Sequence, residues 1–452
     1  MPASRVKILC TGDLHLGRYP SRVDTNQHRF SGANIWARAV DFAIAEAVDL
    51  VVLTGDIVDR ENRFFEAIGP LEQGIRRLGN AGITTFAVAG NHDFDVLPRV
   101  ADALNVGYFH LLGRHGDWET RVFERDGEPI IRLIGWSFPT QHFPQSPLDT
   151  LVRAEPDGIP TVGVLHADLD SGASRYAPVR RAELGAYGFS AWLLGHIHRP
   201  SKSRALGESL LLYPGSPQPL DPGEQGVHGP WLVEVGPGRP AKARQIALAS
   251  LRYAQMEVDL SSMQRADEFE GIILESLRAR LHQWAQQARE SSSHAYLPER
   301  AMIRLKLVGR TRFRREIESR FARVIEDFEL SVEKIVARVE QVQLATRPAL
   351  DLSDIARGND PPALLARLLI ELETGAPSAA YQPLFLHLRR EVAQVQRDNA
   401  FALLRAEQVV GDGIDTAQLR RLVQGEGLRL LDELVAQKRS HEGFVPVRGA
   451  LK

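Results

Sequence analysis

In the stretch Val6-Lys7-Ile8-Leu9-Cys10-Thr11-Gly12-Asp13-Leu14-His15, an apolar run gives way to a turn that presents a carboxylate and an imidazole two residues apart. The run is too short for a buried helix and ends in turn residues, so it reads as a buried strand. The pattern recurs in the runs D-L-V-V-L at 49–53, T-T-F-A-V-A at 84–89, T-V-G-V-L at 161–165 and A-W-L-L at 191–194. They lead into Gly55-Asp56-Ile57-Val58-Asp59-Arg60, Gly90-Asn91-His92-Asp93, His166 and Gly195-His196-Ile197-His198. Helical stretches from Ile35 to Ala47 and Phe64 to Leu78 alternate with these runs, which predicts an α/β layered domain. In such a domain ligands collect beyond the carboxyl ends of the strands, where all five polar clusters fall.

A chain of 452 residues exceeds the reach of one hydrophobic core, so two or three domains are expected. From about Leu251 the texture changes. Ala254, Met256, Val258 and Leu260 alternate as a strand, and Phe269, Ile272, Leu277, Leu281 and Trp284 recur at helical spacing. A strand through Ile303, Leu305 and Leu307, a helix from Phe313 to Phe328 and a strand from Ile335 to Gln343 complete a small α+β domain. Beyond Thr346-Arg347-Pro348 the chain reads as helices: Pro362 to Glu373, Leu384 to Arg405 and Thr416 to Lys438. The expected division is 1–250, 251–347 and 348–452. The formal charge of -2 neither predicts nor excludes a nucleic-acid partner. The single cysteine, Cys10, sits in an apolar run and reads as a buried thiol of a reducing compartment, hence the cytoplasm. The sequence shows no apolar leader and no run of roughly 20 apolar residues, so no membrane partner is expected.

At a strand end, residues two apart point the same way, so Asp13 with His15, and His196 with His198, can each grip a common site. Asn91 and His92 are adjacent and should diverge, one toward metal and the other toward substrate. Carboxylate, amide oxygen and imidazole without thiolate suit harder divalent ions, manganese first, with iron or zinc as alternatives. A structural zinc takes four ligands. Asp13, His15, Asp56, Asn91, His166, His196 and His198 are too many for one ion and enough for two that share a carboxylate, about 3.5–4 Å apart.

The order D-x-H, G-D-x-x-D, G-N-H-D, H, G-H-x-H over Val6 to His198 resembles the calcineurin-like metallophosphoesterase signature. The resemblance implies a layered β-sandwich flanked by helices, capped by the small α+β domain and followed by a helical C-terminal region. It implies one ion on Asp13, His15, Asp56 and His198, and a second on Asp56, Asn91, His166 and His196, with Asp56 bridging. Water would attack phosphorus in line, with no covalent protein intermediate. His92, beside a ligand without being one, is the general acid for the leaving oxygen, because imidazole titrates near neutrality. Asp59 would orient His92. Asp59 and Asp93 also read as turn formers or as hydrogen bonders beside the ligands.

Metal chemistry alone does not choose a substrate. Leu211-Leu212-Tyr213-Pro214-Gly215-Ser216-Pro217-Gln218, with G-H-I-H-R-P at Gly195 to Pro200, resembles the SbcD-like DNA repair exonucleases, a group that includes the YhaO-type proteins. That likeness implies DNA as substrate, an SMC-like coiled-coil ATPase as partner and a homodimer of the nuclease domain. The alternative is a phosphoprotein phosphatase or nucleotide phosphodiesterase, since Gly55 to Arg60 matches G-D-x-V-D-R. Glu61 departs from that pattern, and no Arg follows the G-N-H cluster to clamp a phosphate dianion. Arg300, Arg304, Lys306, Arg310, Arg312, Arg314 and Arg315, with Phe313, form either DNA phosphate contacts or a solvated face. Arg18, Arg22 and Arg29 pose the same choice, with Arg18 nearest a metal motif. Leu419, Leu422, Val423, Leu430, Leu431 and Leu434 form a stripe that either packs internally or grips the partner helix.

Overall fold

A computed structural model of the protein describes residues 5–23, 28–59, 64–152, 157–291, 296–314, 316–319, 328–375, 377–398 and 414–442. These belong to two compact units, Met1–Gly309 with Arg315–Ala345, and Arg310–Arg314 with Thr346–Lys452.

The first unit is built on two six-stranded sheets. One runs in the order Arg239–Gln245, Trp231–Gly236, Val6–Thr11, Leu50–Leu53, Thr84–Ala87, Phe109–Leu111. The other runs Ser201–Arg204, Leu210–Tyr213, Ala191–Gly195, Thr161–His166, Glu128–Trp136, Trp118–Arg125. The central strands are parallel, antiparallel hairpins close three of the four edges, and Phe109–Leu111 ends the first sheet as a parallel strand. Alternation along Val6–Thr11 explains the layering. Ile8 and Cys10 meet Leu133, Val164 and Leu193 of the opposite sheet, while Leu9 turns to the helices Gly32–Ala45 and Phe64–Asn80. On the far side, Trp136, Trp192 and Leu194 pack beneath Arg181–Ala186. The result is a β-sandwich flanked by helices, and Cys10 is a free thiol buried between the sheets. Each fully buried aliphatic or aromatic side chain contributes about 1.5–3 kcal/mol. The indole N–H groups of Trp36, Trp136 and Trp192 donate to the carbonyls of Pro70, Gly116 and Leu184, so these rings bury without an orphaned donor.

A four-stranded sheet follows in the same unit, ordered Leu251–Asp259, Arg300–Val308, Ile335–Leu344, Glu329–Val332, with the helix Phe269–Ser291 packed on it. Tyr253 joins it to the sandwich by packing on Phe30 and donating its hydroxyl to the Ser21 carbonyl. Of the helix expected over 313–328, Arg315 and residues 320–327 lie outside the described residues. The strand Glu329–Val332, with Leu330 and Val332 inward, was not anticipated.

The second unit contains the helices Leu352–Ile355, Pro361–Thr374, Gln382–Gln396 and Thr416–Glu442. Residues 399–405 of the helix expected from Leu384 lie outside the described residues. Leu419 and Leu431 are buried against Leu368, Leu369 and Leu372, whereas Leu422 and Leu430 are exposed. Among the described residues no helix is long and apolar enough to cross a membrane.

Candidate metal centre

Each predicted donor sits where a central strand ends, and the backbone there is unusual. Asp13, His15, Asp56 and His196 have φ of 48°, 42°, 50° and 97°, a left-handed region that costs most L-residues about 1–3 kcal/mol. Asp and His are among the residues that tolerate it best. The motif glycines leave room for the donors. A Cβ on Gly90 would lie 2.2 Å from Asp56 Oδ1, and one on Gly55 2.6 Å from His166 Nδ1.

The loops bring the donors together in overlapping groups. Asp13, His15 and His198 form one; Asp13, Asp56 and His166 form another; His15, Asp59 and His92 form a third. Asp56 faces two of the imidazoles, its Oδ2 lying 3.3 Å from His166 Nε2 and 3.9 Å from His15 Nε2. Asn91 Oδ1 lies 3.1 Å from His166 Nε2. His196 places its backbone N–H on Asp13 Oδ1 at 3.1 Å, and its ring lies between those of His166 and Tyr176. His92 diverges from Asn91. Its backbone N–H donates to Asp56 Oδ1 at 2.8 Å, and its ring, 37% exposed, stands edge-on to His15. Asp59 is 3.9 Å from His15 Nδ1 and 4.0 Å from His92 Nδ1, near both and hydrogen-bonded to neither ring.

The donor set fits cations. Thr54 O, which only accepts, lies 3.0 Å from His166 Nδ1, so that nitrogen carries the proton. In the neutral ring, Nε2 then aims a lone pair at two further acceptors, Asp56 Oδ2 and Asn91 Oδ1. Only a proton or a metal ion satisfies all three. His198 repeats this arrangement: Glu224 Oε1 accepts from Nδ1 at 2.9 Å, and Nε2 faces His15 Nε2 at 3.1 Å. Asp13 Oδ2 and His15 Nδ1 are buried without a hydrogen-bond partner. Electrostatics tell the same story. Burial would lower His166, yet the Asp56 carboxylate overcomes it and holds the imidazole up at about 9. Burial works against ionisation of Asp56, but His166, then His15 and His92, keep its carboxyl below the usual range. Asp13 is pushed up to about 6 and Asp93 to about 7, chiefly by burial. Burial pushes His15 and His196 down to about 4. These are the signs of buried donors gathered without their counter-charge, which two divalent ions would provide.

Two supporting residues carry geometry that the motifs alone do not reveal. Asp93 accepts N–H groups from Gly90, at 2.7 Å, and from Ile57, at 2.7 Å, tying the Asp56 loop to the Asn91 loop. Glu224 grips His198 with one oxygen and takes Ser216 Oγ and Leu220 N with the other. Nothing in its local sequence marks Glu224 except its place soon after Gly215-Ser216-Pro217. A carboxylate on the second nitrogen of a ligating imidazole fixes tautomer and orientation. Glu224→Ala is expected to weaken metal binding about 10–100-fold, measured by titrating the metal-free protein. Unchanged affinity would leave Glu224 as a loop former only.

The four arginines expected on DNA all have partners. Arg18 pairs with Asp221 at 2.9 Å. In the second unit Arg310 forks onto Asp432 and also donates to Leu428 O, while Arg314 donates to Thr346 O. Arg312 lies over the Phe313 ring and is exposed. Arg60, Glu61 and Arg315 lie outside the described residues.

Sandwich, strand-end loops and paired donor groups together make the arrangement of a metallophosphoesterase domain. Residues 6–200 match the calcineurin-like phosphoesterase family and form a domain of that type. Over 204 residues the chain is 29% identical to YhaO of Bacillus subtilis, described as an uncharacterized metallophosphoesterase, covering 44% of this chain and 48% of that one. It is 24% identical over 242 residues to the DNA double-strand break repair protein Mre11 of Methanopyrus kandleri, covering 50% and 53%. Against the Mre11 protein of Haloferax volcanii it is 28% identical over 273 residues, covering 56% and 55%. The chain thus spans about half the length of the curated relatives it matches. A solved dimetal phosphatase from Danio rerio aligns with TM-score 0.34 and 13% identity over 53% of this chain and 98% of its own.

Proposed function

We propose that this protein is a manganese-dependent DNA exonuclease that acts in DNA repair in the cytoplasm, as a homodimer of its nuclease domain beside an SMC-like coiled-coil ATPase. The observation that carries the reading is a two-ion donor cluster with a half-exposed histidine at its rim, in a chain whose relatives include Mre11 repair proteins. Asp13, His15, Asp56 and His198 would hold one ion, and Asp56, Asn91, His166 and His196 the other. Such ions acidify a water and neutralise charge on phosphoryl oxygens. The chain's own contribution is placement. His92 is anchored through its backbone to Asp56, and its exposed ring gives a proton to the leaving oxygen. Asp59, 4.0 Å away, would orient that ring.

In this reading 1–250 is the nuclease domain, 251–347 a cap that meets DNA and 348–452 the partner-binding region. The exposed Leu384, Leu386, Leu422 and Leu430 of the second unit support a helix-in-groove contact with the ATPase.

The test incubates the protein and manganese with end-labelled linear duplex, a phosphoprotein and a cyclic nucleotide, side by side. Nucleotide release from DNA alone is expected, falling about 10²–10⁴-fold in His92→Ala. Phosphate release from the phosphoprotein with intact DNA would overturn the DNA reading. A fully active His92→Ala would remove the general-acid role.

A further inference from the structure

Away from the metal cluster, a cleft of about 350 Å³ opens within the first unit between the sandwich and the cap. Its walls are mostly apolar, from Ile246, Ala249, Leu251 and Trp284, with Arg252 set among them. The size and lining suit a small organic molecule.

Arg252 is unlike the other half-buried arginines of this unit. Arg38 has Glu299, Arg304 has Glu340 and Arg125 has Asp49. Among the described residues no carboxylate lies within ion-pair reach of Arg252, and its buried Nε has no hydrogen-bond partner. Its guanidinium carbon lies over the Trp284 ring, 3.9 Å from the centroid, a cation–π contact. The nearby charge is the wrong sign. Burial pushes Arg252 down to about 10, and Arg280, exposed on the same helix as Trp284, adds to the effect. A half-buried cation without an anion costs stability, since a charge is not buried unpaired without penalty. A guanidinium held over an indole still offers its N–H fork to a carboxylate or phosphate.

We propose that this cleft binds a small organic anion, a carboxylate or phosphate monoester with a flat apolar body, through Arg252. The anionic group pairs with the Arg252 fork, and the apolar body lies on Ile246, Ala249 and Leu251. Apolar lining favours an organic anion over inorganic phosphate.

Thermal unfolding of the whole protein tests this, with benzoate, adenosine 5′-monophosphate, inorganic phosphate and neutral adenosine as probes. Wild type and Arg252→Met are compared. Binding at the metal cluster is common to both proteins, so the difference between them isolates the cleft. Without ligand, Arg252→Met is expected to be at least as stable as wild type, because it removes an unpaired half-buried charge. With benzoate or the monophosphate, wild type should gain stability that Arg252→Met does not, corresponding to affinity weaker by about tenfold or more. An Arg252→Met protein that is destabilised or unfolded would make Arg252 a structural residue and overturn the proposal. Equal shifts in both proteins would also overturn it, as would an Arg252-dependent shift with inorganic phosphate alone.

Discussion

Asp56→Asn is expected to lower phosphodiester hydrolysis on the order of 10³-fold and to reduce bound divalent metal from two ions per chain toward one. The reasoning starts from its two oxygens. Oδ2 lies within 3.9 Å of both His15 and His166, so one carboxylate addresses both halves of the cluster. Oδ1 takes the His92 backbone N–H, a bond that an asparagine carbonyl can keep. The substitution therefore removes charge while sparing the loop, and the protein should fold. Metal content by mass spectrometry and rate on the preferred substrate are read together. Two retained ions with an undiminished rate would end the claim that Asp56 bridges.

Gly195→Ala should cost about 3 kcal/mol or more of folding stability. A Cβ there would stand 2.0 Å from the Thr54 carbonyl oxygen and 2.6 Å from His166 Nδ1. Neither neighbour can retreat cheaply. Thr54 follows a central strand, and its carbonyl is the acceptor that orients His166. Overlap with backbone is relieved only by separating the two sheets' loops, which also pulls the donors apart. Gly271→Ala provides the contrast. It lies on an exposed face of the helix Phe269–Ser291 with nothing within 4 Å of the added methyl, so it should gain about 0.5–1 kcal/mol. Urea midpoints at constant slope measure both. If Gly195→Ala proved as stable as wild type, the packing around Thr54 would have to be looser than these distances allow.

Much of the sandwich could be read from sequence because its central strands are buried on both faces. Such strands appear as largely apolar runs, and Val6–Thr11, Leu50–Leu53, Thr84–Ala87, Thr161–His166 and Ala191–Gly195 do so, interrupted only by Lys7 and by threonines. The edges could not be read that way. Trp118–Arg125, with sequence WETRVFER, and Ser201–Arg204, fully exposed, have water on one side or both, so polar residues interrupt the run. Glu329–Val332 was hidden for another reason: four residues of alternation are too few to stand out beside an expected helix. The gathering of donors was legible because strand-end spacing and residue chemistry agree. Glu224 and the Thr54 carbonyl were not, since one is a glutamate in a loop and the other carries no side-chain signature. The basic run illustrates a further limit. Sequence proximity joined Arg304 to Arg310, yet the first pairs with Glu340 in one unit and the second with Asp432 in the other.

The left-handed backbone at Asp13, His15, Asp56 and His196 also bears on how this chain would age under mutation. Glycine at any of the four would relax a torsional load of about 1 kcal/mol or more while deleting a donor. Catalytic competence and robustness therefore pull in opposite directions at the same four positions. A descendant released from selection for hydrolysis has an easy downhill route to a sturdier, inert fold. Keeping these residues is a continuing cost that only turnover justifies.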